Sequence, residues 1–226
     1  MNYVRKSIDR GSANFGWLNS KHSFSFGNYS DPAHMGISAL RVINDDVIAP
    51  SAGFDTHGHQ DMEIITSVIE GALKHKDTPG NAFVVKAGEI QRMTAGTGIM
   101  HSEYNNSDEQ PVKLLQIWIQ PDRTGLACGY EQSQVEQTGA LTELVTPDGH
   151  ESSLKIHQAA SIFRLQLQAG DRYELATHRT GYLHLVSGVA NIENHTFTAG
   201  DAISPESGEL MVLANQNLEA LWFDLP

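Results

Sequence analysis

A single cysteine, Cys128, stands in 226 residues, so no internal disulfide can form. That usage suits a reducing compartment, and a cytoplasmic protein is expected. Apolar runs are short, none nearing the roughly 20 residues of a membrane-crossing helix. The opening Met1-Asn2-Tyr3-Val4-Arg5-Lys6 meets charge at once and lacks the apolar centre of an export signal, so neither membrane attachment nor export is expected. The Asn105-Asn106-Ser107 sequon is then a chance match. Basic residues are scarce, with 15 Lys and Arg against 27 Asp and Glu and a formal net charge of −12. A surface that tracks phosphates is therefore disfavoured, and direct nucleic-acid binding with it. A small-molecule or protein partner fits better.

Long helical periods are also few. What the chain has instead is short apolar or alternating runs separated by turn residues, with 20 glycines among them, as in sandwiches and barrels. Strands are predicted at Ser38–Val42, Glu63–Glu70, Phe83–Val85, Lys113–Ile119, Ser161–Leu167, Tyr182–Val186 and Leu221–Phe223, and a short helix at Thr138–Val145. Val68-Ile69-Glu70-Gly71-Ala72 with Ala87-Gly88-Glu89 has a counterpart in Leu185-Val186-Ser187-Gly188-Val189 with Ala199-Gly200-Asp201. This reads as a repeated module. The expected architecture is all-β: two tandem antiparallel barrels of jelly-roll type with little helix. The polar, glycine-containing stretch Pro121–Glu151 is expected to connect them, with domains at 1–125 and 126–226.

Two triplets carry the chemistry, His57-Gly58-His59 and His101-Ser102-Glu103. Residues two apart on a strand point to one face. On neighbouring strands the triplets would bring three imidazoles and a carboxylate to one point, a donor set for a divalent transition metal. Glu63 also follows His59 by an even number of residues, so spacing leaves Glu63 and Glu103 both open as the carboxylate. In the second module the same intervals land on Glu174, Ala176, Met211 and Leu213, so a second site of this design is not expected.

His57-Gly58-His59 with Glu63 and Gly71, and Gly96 through Asn105, resemble the two cupin motifs. Gly71 falls one residue late, Ser51 stands where glycine is usual, and Gly96 takes the usual proline position, which points to a particular branch. Gly16-Trp17-Leu18, His22-Ser23-Phe24-Ser25-Phe26, Tyr29-Ser30-Asp31-Pro32, Leu40 through Asp46, and Thr94 through Glu103 resemble the pirin family, nearest to its bacterial quercetin 2,3-dioxygenase-like members. The resemblance covers almost the full length and is most specific before about residue 120.

The resemblance implies a bicupin with one metal in the N-terminal domain, held by His57, His59, His101 and Glu103, and a C-terminal cupin-like domain without ligands. Fe(II) is the first expectation for the metal, with Zn, Co, Ni, Mn or Cu also compatible with the donors. It also implies 2,3-dioxygenation of flavonols such as quercetin by dioxygen, with Glu103 taking the substrate's hydroxyl proton. The alternative is a non-enzymatic metal-binding regulator acting through protein partners. The other eight histidines, His75 among them, are read as ordinary surface or core residues. Phe24, Phe26 and Tyr29 are read as core packing, and Cys128 as incidental.

Overall fold

Inward-facing positions run from apolar to polar along several strands, and that gradient places the site. The computed structural model describes residues 2–226; Met1, which begins the charged opening segment, lies outside it. Strands dominate, and the one helical element described is the three-residue 3-10 turn Ser7–Asp9. No helix among the described residues is long and apolar enough to cross a membrane.

Contacts divide the chain into two units interleaved along the sequence. One comprises Gly11–Val135 and Asp148–Gln158, and the other the segment ending at Arg10 with Glu136–Pro147 and Ala159–Pro226. In the first, an antiparallel sheet is ordered Gly129–Ser133, Ile90–Thr94, Glu63–Glu70, Val112–Ile119, Leu40–Ile48, Leu18–His22, Gly11–Asn14. A four-stranded sheet is ordered Gly53–His59, Ile99–Asn105, Ala72–Asp77, Ala82–Lys86. Leu18, Ile48, Val68, Leu73, Val85, Val112 and Leu114 of both sheets form one buried cluster. Each such side chain contributes about 1.5–3 kcal/mol.

Two residues further along the same faces the character changes. Leu18 is followed by Ser20 and His22, Leu114 by Gln116 and Trp118, and Leu73 by His75 and Asp77. Ile48 is preceded by Asp46 and Asn44. The apolar cluster thus backs a polar, partly open interior.

The second unit repeats this wiring. Its larger sheet runs Tyr3–Arg5, Ala202–Ser204, Thr180–Ser187, Leu218–Leu225, Ser161–Leu167, Leu141–Thr146, and its smaller sheet Arg172–Ala176, Glu209–Ala214, Val189–Ile192, His195–Thr198. Met211 pairs with Glu174 as His101 pairs with His57, which is the register that interval counting anticipates. The hairpins turn at Gly71 and Gly188, with φ of +80° and +86°. A Cβ on Gly188 would lie 2.2 Å from the Asn217 carbonyl oxygen. Here the interior stays apolar, from Leu165 and Phe197 to Trp222.

Three expectations change. Among the described residues neither unit closes into a hydrogen-bonded cylinder; each has two open sheets sharing a core. Thr138–Val145 is not helical: Leu141–Thr146 is a strand, with Leu141 opposite Leu165 and Glu143 opposite Phe163. Threonine and glycine gave the helix little intrinsic support, and pairing with a buried strand prevails. Nor is Pro121–Glu151 a bare connection, since Gly129–Ser133 pairs with Ile90–Thr94.

Candidate metal centre

His57 and His59 lie at the end of Gly53–His59, and His101 lies on Ile99–Asn105, with His101 opposite His57 and Ile99 opposite His59. The pairing slips between His101 and Glu103, where Glu103 meets Phe54. This bulge lets Phe54 and His57 both face inward. A Cβ on the intervening Gly58 would come 2.9 Å from Met100 Sδ, so glycine suits the His-x-His spacer.

The three rings form a nearly equilateral triangle, with centroid separations of 4.4, 4.8 and 4.8 Å. His57 Nδ1 is 2.7 Å from the Asp55 carbonyl oxygen, so Nδ1 carries the proton and Nε2 the lone pair. That Nε2 lies 3.0 Å from His101 Nε2. Lone pairs this close are held together only by a shared proton or a cation, and the triad fits a divalent cation on both geometry and donor type. Burial, then the His57 imidazole, holds His59 down to about 4. Burial and then the His57, His59 and His75 rings hold His101 down to about 2. Both rings are neutral near pH 7, as ligands must be.

Glu103 is buried and fixed from both sides. Its Oε1 accepts from Gln91 Nε2 at 2.8 Å, and its Oε2 accepts from Gln116 Nε2. Each amide is itself oriented, because the Tyr130 hydroxyl donates to Gln91 Oε1 at 2.9 Å and Trp118 Nε1 to Gln116 Oε1 at 3.3 Å. Burial pushes Glu103 up to about 7, against the two glutamine amides, which favour the carboxylate. Donor atoms of Glu103, His101 and His75 all lie within 4.8 Å of one another.

Glu63 is elsewhere. Val68, Thr66 and Ile64 face the interior, so Glu63 faces the opposite side of its sheet. There it accepts from the Thr94 hydroxyl at 2.9 Å and pairs with His157 Nδ1 at 3.0 Å. Counting from His59 misplaces it because the strand stops at His59 and the chain turns through Asp61, at φ +49°, before Glu63 begins the next.

A cavity of about 820 Å³ opens over the triad, with His57, His59, His101 and Glu103 in its wall. Trp17, Phe26, Tyr29, Phe54 and Trp118 supply aromatic surface, and Ser20, His22, Asn44 and Asp46 a polar patch. Trp118 stands nearly perpendicular to Phe26 and to His59, with ring centroids 5.4 and 4.9 Å away. Of the three aromatics read as core, Phe24 is buried, whereas Phe26 and Tyr29 line the cavity.

The family model named Pirin matches residues 4–119. A second, the quercetinase C-terminal cupin domain, matches residues 143–225. The chain belongs to the pirin family. Within it, the chain is 43% identical to the quercetin 2,3-dioxygenase of Escherichia coli strain K12 over 229 aligned residues, covering 100% of this chain and 99% of that protein. It is 40% identical to a putative quercetin 2,3-dioxygenase of Pasteurella multocida, covering 98% of each chain. The crystal structure of the bacterial pirin YhhW from Escherichia coli in complex with nickel(II) superposes with a TM-score of 0.95 at 44% identity, over 100% of this chain and 99% of that one.

One residue beside the site that sequence reasoning passed over is His75. It is fully buried, faces Asp77 at 3.1 Å and lies against His101 with centroids 5.4 Å apart. Burial lowers its pKa, opposed by Asp77. The available signal was His75-Lys76-Asp77, an alternating pair on a strand whose even neighbour Leu73 is core.

Proposed function

We propose that this protein is a metal-dependent dioxygenase that opens the heterocyclic ring of flavonols such as quercetin. The observation that carries the reading is the triangle of inward-facing imidazoles in the wall of an aromatic cavity large enough for a small polycyclic substrate. The dioxygenase names of full-length relatives support it. His57, His59, His101 and Glu103 are the ligand set, within an N-terminal cupin domain at 1–125, and Fe(II) is the first candidate metal. The domain at 126–226 is a second cupin-like domain without ligands: Glu174, Ala176, Met211 and Leu213 stand where the four donors would be.

A divalent metal held there would act as a Lewis acid toward the substrate's deprotonated 3-hydroxyl and bring it together with dioxygen. The protein's own part is orientation and exclusion of water. Trp118 and Phe26 present faces and edges against which flat rings stack. Gln91 and Gln116 hold the Glu103 carboxylate in place, and Glu103 accepts the proton of the 3-hydroxyl. The apolar cluster around Leu18, Val112 and Leu114 seals the inner end from solvent.

The test is oxygen uptake by purified protein loaded singly with Fe(II), Mn(II), Co(II), Ni(II), Cu(II) or Zn(II) and supplied with quercetin. Uptake matched by loss of flavonol absorbance, and abolished in His101→Ala, is expected with at least one metal. No uptake with any of them would overturn the reading and put the protein-partner role ahead.

A further inference from the structure

Two buried ring nitrogens, His101 Nδ1 and His75 Nδ1, have no hydrogen-bond partner. Leaving such an atom unpaired costs about 1–3 kcal/mol, so two on neighbouring rings need a reason. Their chemical types are complementary. Asp77 Oδ1 accepts the Asn81 backbone N–H at 2.9 Å, and Oδ2 accepts Asn81 Nδ2 at 2.8 Å. A carboxylate receiving donors on both oxygens is an acceptor throughout, so His75 Nε2, 3.1 Å from Oδ2, must carry the proton. That leaves a lone pair on His75 Nδ1.

His101 is the mirror case. Its Nε2 faces His57 Nε2, so a lone pair there for the cation assigned above leaves the proton on Nδ1. Metal-bound imidazoles almost always donate their other N–H to an outer acceptor. His57 has one in the Asp55 carbonyl, and His101 has none unless His75 serves. The strands supply the placement, with Glu103 opposite His75 and His101 opposite Asp77. Tyr130, at 4.8 Å from His75 and itself stacked on Phe83 at 5.0 Å, holds the His75 ring from the other side.

We propose that His75 is the positioning residue for His101: Asp77 sets the His75 tautomer, and the His75 Nδ1 lone pair accepts the His101 Nδ1 proton when His101 holds a divalent cation through Nε2. The inference rests on the metal reading above and extends it by two residues that the ligand motif does not contain.

The experiment measures Co(II) affinity by chelator competition and the visible ligand-field bands of the Co(II) protein, for the full chain and for Asp77→Asn, His75→Leu and His75→Gln. The melting temperature of each metal-free protein is measured alongside. Loss of an outer-shell partner is expected to weaken affinity about 10- to 100-fold. Asp77→Asn, nearly isosteric, should reach that range with shifted bands, because an amide facing His75 Nε2 turns the His75 proton toward His101. His75→Gln, which keeps an acceptor oxygen, should recover part of what His75→Leu loses. If His75→Leu folds poorly, Asp77→Asn and His75→Gln decide. Affinities within about twofold of the parent with unchanged bands, whatever happens to the melting temperature, would overturn the proposal. A parent protein that binds no Co(II) would sink the metal reading itself, a distinguishable result.

Discussion

Glu103→Gln and Glu63→Gln should separate metal binding from folding. Both carboxylates are buried and both accept two protein hydrogen bonds, so each substitution keeps the volume and turns one acceptor oxygen into a donor. At Glu103 the new NH2 faces a glutamine N–H in the cavity wall, and the charge of the proposed carboxylate ligand is lost. Since removing even an outer partner costs 10- to 100-fold, metal affinity should fall by about 100-fold or more, about 2.8 kcal/mol. At Glu63 the new NH2 disturbs the Thr94 and His157 bonds on the far side of the sheet, and the loss is a charged hydrogen bond of about 1.5–3 kcal/mol of stability. For a chain of this size that lowers the melting temperature by about 3 to 12 °C, with metal affinity held within about threefold. Chelator competition at one pH reads the first quantity and thermal melting of the metal-free protein the second. Equal affinity losses in the two variants would refute the placement of the carboxylates.

Asp201 gives a pH test away from the site. Burial raises its pKa, but the Lys6 ammonium at 2.6 Å and the Ser7 and Thr198 amides outweigh this and lower it. A depressed carboxylate stabilises above its unfolded value and loses that contribution as pH falls through the folded one. Asp201→Asn should therefore cost about 1–2 kcal/mol at pH 7, discounted because Lys6 is partly in solvent. The gap to the parent should narrow as pH falls through and below the ordinary aspartate value of about 3.9; a gap that stays constant in thermal melts down to the lowest pH at which the parent still folds would contradict it. Gly188→Ala combines φ of +86° with a Cβ 2.2 Å from a backbone oxygen, and should lose at least about 2 kcal/mol in urea unfolding. A loss under about 0.5 kcal/mol would show that the hairpin can shift to accept a side chain.

Strands whose partners are all core were readable in one dimension. Glu63–Glu70 and Ser161–Leu167 form over the predicted bounds, because their β-branched and apolar residues leave little competition from helix. The convergence of the His57, His59 and His101 rings was readable too, since period-two geometry applies within each triplet. What stayed hidden depends on register between strands or on breaks within them. His75 meets Glu103 only through pairing of Ala72–Asp77 with Ile99–Asn105. Glu63 lost its parity with His59 at the turn through Asp61. Phe26 and Tyr29 follow a strand that ends at His22, in turns where alternation no longer reports which way a side chain points.

The most direct test is anomalous diffraction at a metal absorption edge from crystals of the Co(II)-loaded protein. The account predicts one peak, about 2.0–2.2 Å from nitrogens of His57, His59 and His101 and from an oxygen of Glu103. A peak held instead by His75 and Glu103, or none among these side chains, would contradict it.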